Sequence, residues 1–312
     1  MYSKIILAGG SGQIGTALKT FFESKTAEII ILSRNPENRR GNIKPVYWDG
    51  ETLGKWTNEL EGADLIVNLT GKSVNCRFTE ENKIELTASR INSVKVIGKA
   101  IEGLKKPPLL WVQFTGIDGY SNDGFDACTE QSPFNGVGFL AELSQKWELA
   151  FDEATKDLPN LRKVKLRTSM VLAKNSGVYP RLKLLVKWWL GGPHGNGNQW
   201  VSWIHEADVC RLVDWIAQHK QMSGAINCTA PYPISNADFM AAFRKAAEVW
   251  IGLPTPTFAV KWGTRLMGTE PDLILNSRRA VPKAALESGF QFAFPRTRDA
   301  IKQIYERGRY RK

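Results

Sequence analysis

The stretch SKIILAGGSGQIGTALKTF, residues 3–21, runs from a short apolar segment through a cluster of glycines into a segment with helical spacing. The apolar segment is too short for a helix and reads as a buried strand. The glycines fall at Gly9, Gly12 and Gly15, a GxxGxxG spacing between strand and helix. Each has a separate task in such a turn. Gly9 permits the reversal, Gly12 lets the backbone approach a pyrophosphate, and Gly15 lets the helix pack against the strand. The helix start then offers N–H groups and a partial positive charge to a phosphate. The loop Gly9, Ser11, Gly12, Gln13, Ile14 and Gly15 is therefore expected to hold a dinucleotide.

Downstream, apolar runs alternate with longer amphipathic segments. EIIILSR, PVYWD, DLIVNLTG, LLWVQFTG and KVKLRTSMVL read as further strands. Helices are expected in LGKWTNELEG, TEENKIELTASRINSVKVIGKAIEGL and FLAELSQKWELAFDEATK. This alternation predicts an α/β, Rossmann-type doubly wound parallel sheet. The last third loosens into a smaller α+β part. There RLKLLVKWWLGG reads as helical, ADFMAAFRKAAEVW as a helix capped by Asn236, and IGLPTPTFAV as extended. We expect a cofactor domain over residues 1–165, with core strands reaching to about 230, and a substrate part over 166–312.

The end of the second strand sets the cofactor type. An acid there would bind a ribose hydroxyl, but the chain has Ser33 and Arg34. A guanidinium and a hydroxyl suit a 2′-phosphate, which favours NADP. Asp49, after the third strand, is either an acceptor for the adenine amino group or a turn residue.

Composition narrows the rest. Hydrophobic residues make up 43% and charged residues 23%, which excludes a disordered chain. No apolar run approaches the roughly 18 residues of a membrane span, and the N-terminus lacks a signal-peptide pattern. Cys76, Cys128, Cys210 and Cys228 show no metal spacing or close pair, so free thiols in a cytoplasmic setting are expected and no metal. The net charge is +11, but residues 1–157 carry −3. Residues 158–205 hold eight basic residues and no acid, and the tail 296–312 adds +5. That distribution turns the expectation from nucleic acid toward a small anionic substrate. Trp188, Trp189, Trp200 and Trp203 in the acid-free stretch read as core, or as a flat pocket wall.

The motifs GGSGQIG (9–15), LSR (32–34), NLTG (68–71), ASRINS (88–93) and FLAELSQKWE (139–148) together resemble an extended short-chain dehydrogenase/reductase. With GGPHGNGNQWVSWIHEAD (191–208), NCTAPYPISNADF (227–239) and ESGFQFAFP (287–295), the likeness narrows. It points to the atypical YfcH-type, NAD-dependent epimerase/dehydratase-like subgroup. The resemblance implies NADP in the sheet's cleft and a small C-terminal domain of unknown function at about 250–300. It also implies that Asn68, Leu69, Thr70 and Gly71 line the nicotinamide side. Arg90 would position that turn, or be a surface salt-bridge arginine.

The wider superfamily pairs a Ser or Thr with a Tyr-x-x-x-Lys helix. Here the hydroxyl survives as Thr115, but Phe139 and Leu143 stand at the Tyr-to-Lys spacing. Tyr120 is the nearest replacement, or else a packed loop tyrosine. Asp118 and Asp123 flank it. His205 and Asp208 are read as structural. The resemblance implies an NADP-dependent oxidoreductase or epimerase with an atypical active site, acting on a small, sugar-like substrate. The alternative is a non-catalytic NADPH-binding redox sensor. The partner expected is a small molecule, with neither nucleic acid nor a membrane, on a monomer or homodimer.

Overall fold

A computed structural model describes residues 1–121, 126–174 and 177–306. The first half forms β1 (Tyr2–Ala8), α1 (Gln13–Phe22), β2 (Thr26–Ser33), β3 (Ile43–Tyr47), β4 (Leu65–Asn68), α2 (Glu80–Glu102), β5 (Leu110–Gly116) and α3 (Phe139–Thr155). Then follow β6 (Arg162–Thr168), β7 (Met170–Leu172), α4 (Tyr179–Lys187), β8 (Trp200–Val201), β9 (Trp203–His205), α5 (Glu206–Gln218), β10 (Gly224–Cys228) and β11 (Ile234–Ser235). Helices α6 (Asn236–Ala246), α7 (Thr257–Leu266), α8 (Asp272–Leu275), α9 (Lys283–Glu287) and α10 (Thr297–Glu306) close the fold.

Seven strands pair in the order β10-β6-β5-β4-β1-β2-β3, and every pairing in this sheet is parallel. Side chains of a strand alternate between faces, and the core divides accordingly. Ile5 and Leu7 of β1 pack with Leu18 of α1 and Val213 of α5. Ile6 and Ala8 pack on the other face with Ile97 of α2 and Phe151 of α3. Helices thus cover both faces, which is why the central strands read as continuous apolar runs. Strand order reverses between β1 and β4. Their carboxyl ends open the crevice where doubly wound sheets bind ligands.

A third apolar cluster joins α4, α6 and α10 through Leu182, Phe243 and Ile301. Two small sheets, β11 with β8 and β7 with β9, connect this part to the main sheet.

Four local expectations change. LGKWTNELEG gives only a 3₁₀ segment, Lys55–Leu60. KVKLRTSMVL is two strands, because Ser169 turns to bond the carbonyl of Cys228 and β7 then pairs with β9. The cap of α6 is Ser235, whose hydroxyl accepts the N–H of Asp238. Asn236 instead accepts the N–H of His194, at 2.8 Å. The segment expected to be extended turns helical at Thr257, just after Pro256.

Candidate cofactor-binding site

The loop after β1 shows why its glycines are needed. Gly9 has φ +71°, and a Cβ there would lie 2.9 Å from Thr70 Oγ1. The turn after β1 therefore touches the turn after β4. A Cβ on Gly15 would sit 2.4 Å from the carbonyl oxygen of Gly10. Gly12 faces open space, with its nearest neighbour 3.7 Å away. It caps α1 with no side chain, and the first turn of α1 carries no acid. The N–H groups of that turn lack a side-chain cap and are suited to hold an anion. Ser11 is exposed at the loop tip, and Ile14 packs toward the core. Two buried polar atoms beside this turn, Thr70 Oγ1 and Gln13 Nε2, have no hydrogen-bond partner in the protein. Buried polar groups are otherwise nearly always paired, so these residues fit a polar ligand.

At the end of β2, Ser33 is buried and its carbonyl accepts the N–H of Trp48, at 3.0 Å. Arg34 follows, exposed. Asp49 is a half-buried turn residue whose carboxylate accepts the N–H groups of Glu51 and Thr52, each at 2.9 Å, and the Thr52 hydroxyl. Partial desolvation pushes its pKa up, but those donors outweigh it and hold the carboxyl below its ordinary value.

The NLTG turn is fixed from beneath. Asn68 is fully buried. Its amide donates to Gln113 Oε1, at 2.9 Å, and its Oδ1 accepts the N–H of Thr70, at 3.1 Å. Leu69 packs on the core. Gly71 lies against Arg90, whose guanidinium carbon would be 3.1 Å from a Cβ there. Arg90 is not a surface ion-pair arginine. It is buried, donates to the carbonyl of Leu86, and lies over the ring of Trp147 at 5.0 Å. Burial lowers its pKa to about 10, with the Cys76 and Asp118 charges opposing.

The hydroxyls expected to do chemistry, at and after the end of β5, are tied into a hydrogen-bond network. Thr115 Oγ1 donates to Glu148, at 3.2 Å. Glu148 forms a two-point pair with Arg167, at 2.7 and 2.8 Å. Arg167 also donates to the Tyr120 hydroxyl, which donates in turn to Asn227, both at 2.8 Å. Every member is buried. Burial raises the Tyr120 phenol to about 12, only partly opposed by Arg167. Of its two expected readings Tyr120 takes the packed one, as a member of this buried network, and Thr115 points into the same network. The sequence reading missed Glu148, Arg167 and Asn227. One cue was available: Glu148 sits four residues after Ser144, on the buried face of α3.

Phe139 of α3 packs on Phe78, and the exposed Lys146 pairs with Glu142, at 3.8 Å. The carboxyl end of β5 instead gathers Asp118 and Ser144. A Cβ on Gly116 would meet Ser144 Oγ at 3.2 Å and Asp118 Oδ2 at 3.3 Å. Arg278 Nε lies 3.8 Å from Asp118 Oδ1. Burial raises the Asp118 carboxyl, while Arg278 and, more weakly, Arg90 pull it down. Asp123 lies outside the described residues.

His205 and Asp208 are structural. His205 Nδ1 accepts the N–H of Ala207 and caps α5, and Nε2 meets Gln303 of α10. The Asp208 carboxylate accepts the N–H groups of Ala293 and Phe294, each at 2.8 Å. Among the described residues no three His, Cys, Asp or Glu side chains could hold a metal, and no helix is long and apolar enough to cross a membrane.

A seven-stranded parallel sheet with this glycine turn at its switch point defines a dinucleotide-fold protein of the extended short-chain dehydrogenase/reductase type. Comparison with known proteins gives the family. The chain is 32% identical to an epimerase family protein of Mycobacterium leprae, over 92% of this chain and 91% of that one. It is 30% identical to epimerase family protein YfhF of Bacillus subtilis, over 96% and 97%. The chain belongs to this epimerase family. Residues 255–304 match the model of a domain of unknown function, DUF1731. The structure is similar to human epimerase family protein SDR39U1, crystallised with NADPH. The TM-score is 0.86 at 28% identity, covering 97% of this chain and 99% of that one. It also resembles a nucleoside-diphosphate sugar epimerase of Corynebacterium glutamicum, with a TM-score of 0.77 at 25% identity. That match covers 98% of this chain and 58% of that one.

Proposed function

We propose that this chain holds NADP(H) between the ends of β1 and β4 and acts on a small, anionic, sugar-like substrate as an oxidoreductase or epimerase. The observation that carries the reading is the glycine cradle with unpartnered Thr70 Oγ1 and Gln13 Nε2 beside it. The human relative crystallised with NADPH supports it.

Gly9, Ser11, Gly12, Gln13, Ile14 and Gly15 would hold the pyrophosphate. Ser33 and Arg34 would hold the 2′-phosphate, with Asp49 shaping the adenine side. Asn68, Leu69, Thr70 and Gly71 would line the nicotinamide, on the footing that Arg90 provides. When bound, the nicotinamide would supply or accept a hydride. Thr115 and Tyr120, committed to the Glu148–Arg167 pair, keep the floor under β5 rigid. Proton exchange falls to Asp118, whose raised pKa keeps its carboxyl protonated to a higher pH than an ordinary aspartate. Arg278 and Arg90 give the same end of the sheet its positive side. Unpaired cysteines at all four positions suit a reducing, cytoplasmic compartment.

The test is a titration of Arg34→Asp with both reduced cofactors. NADPH affinity should fall at least tenfold more than NADH affinity, and equal losses would reject the 2′-phosphate assignment. Burial of both hydroxyls favours a second reading, an NADPH-binding redox sensor without turnover. Consumption of NADPH with any of a panel of aldehydes, ketones and sugar nucleotides rejects the pure sensor.

A further inference from the structure

Away from the cleft, the segments around α4 and α7 expose several large apolar side chains, and clusters of that kind mark interaction sites. Trp188 and Trp189 follow α4 and are 68% and 62% exposed, while Trp250 is 97% exposed. Phe258 and Trp262 of α7 are 76% and 75% exposed. Trp188 and Trp189 were expected to pack in a core or a pocket wall, and they do neither.

The segments that carry these residues adjoin one another. The backbone of 189–195 runs beside that of 253–255: Leu253 N–H donates to the carbonyl of Trp189, at 2.7 Å, and Thr255 N–H to that of Pro193, at 2.8 Å. Helix α7 starts two residues later. Phe258, Lys261, Trp262, Arg265 and Leu266 recur at helical spacing and are all exposed, while Val260 and Thr264 are buried on the opposite side.

The charge along these segments is mostly positive, with the exposed Glu248 at their edge and Glu270 just beyond them paired with Arg77. Residues 177–192 and 249–269 hold Arg181, Lys183, Lys187, Lys261 and Arg265 and no Asp or Glu. All five cations are exposed.

We propose that this face docks on an anionic lipid bilayer, with Trp250, Trp262 and Phe258 entering the headgroup layer and Lys187, Lys261 and Arg265 facing the lipid phosphates. Aromatic side chains suit the boundary between water and acyl chains, and cations beside them suit negative headgroups. A second copy of the chain is a poor occupant, because a two-fold contact would set five cations against five. Single-stranded nucleic acid would use the cations and aromatic rings, but not the exposed aliphatics Leu184, Ile251, Leu253 and Leu266. Acyl chains use both. A contact of this kind lies on the membrane and needs no crossing helix.

The test is co-sedimentation of the full chain with vesicles of phosphatidylcholine, with and without phosphatidylglycerol. The wild-type chain should pellet with the mixed vesicles and release in high salt. Two variants, one with Trp250→Ser and Trp262→Ser and one with Lys261→Glu and Arg265→Glu, should each bind about tenfold more weakly. Both should keep the parent melting temperature, because the altered side chains are exposed. No pelleting, or undiminished pelleting of both variants, overturns the proposal. So does a concentration-dependent dimer that the same variants abolish, or salt-sensitive retention on single-stranded RNA without vesicle binding.

Discussion

Single side chains fix the site through close approach and hydrogen-bond accounting. The Gly15 Cα faces the Gly10 carbonyl so closely that Gly15→Ala must displace backbone. Overpacking of that kind costs roughly 1–3 kcal/mol. The variant should melt lower and lose NADPH affinity in a fluorescence titration. Tyr120→Phe tests a different role. It strips a partner from both Arg167 and Asn227, at a cost of roughly 1–3 kcal/mol for the buried groups left unpaired. We expect a lower melting temperature with NADPH affinity within about threefold of the parent. Loss of cofactor-dependent turnover without loss of stability would restore the phenol to a catalytic role.

Whole elements explain where the basic stretch 158–205 spends its charge. Half of its eight cations lie on β6 and are used internally. Arg162 donates to the carbonyls of Ile216, Ala217, His219 and Met222 and so caps the end of α5. Lys163 caps α3 at the carbonyl of Thr155, Lys165 pairs with Asp152, and Arg167 with Glu148. A cation at a helix C-terminus meets both the dipole and the unpaired carbonyls. Arg162→Met should therefore cost about 2 kcal/mol by chemical denaturation. Amide exchange should speed up first in the last turn of α5. The cations of α4 are the ones left at the surface.

At the scale of the molecule, distant parts of the chain are clasped by polar contacts. Asp214 of α5 accepts from the hydroxyl of Tyr2 and pairs with Lys25, at 2.6 and 2.7 Å. Burial raises this carboxyl, but Lys25 and Tyr2 outweigh it and hold its pKa below the ordinary 3.8. A carboxyl depressed in the folded state adds stability above its unfolded pKa and loses it as pH falls through the folded value. The parent should therefore lose stability on acidification below about pH 4. Asp214→Asn should be less stable at neutral pH and show a shallower acid dependence. Parallel curves for the two proteins would contradict the assignment.

The amino-acid sequence by itself determined the parallel sheet and the glycine turn after its first strand, because each rests on local pattern. A buried parallel strand is a short apolar run, and a pyrophosphate turn needs glycines at fixed offsets. What only the tertiary structure decided depends on residues far apart in the chain. Thr115, Arg167 and Asn227 come from three strands, Glu148 from a helix and Tyr120 from a loop, and no spacing announces that they meet. Nor does spacing reveal that Arg90 is buried, or that Trp188 and Trp189 face outward rather than inward. Burial is a property of the packed whole: the same tryptophan is core or surface according to which elements cover it.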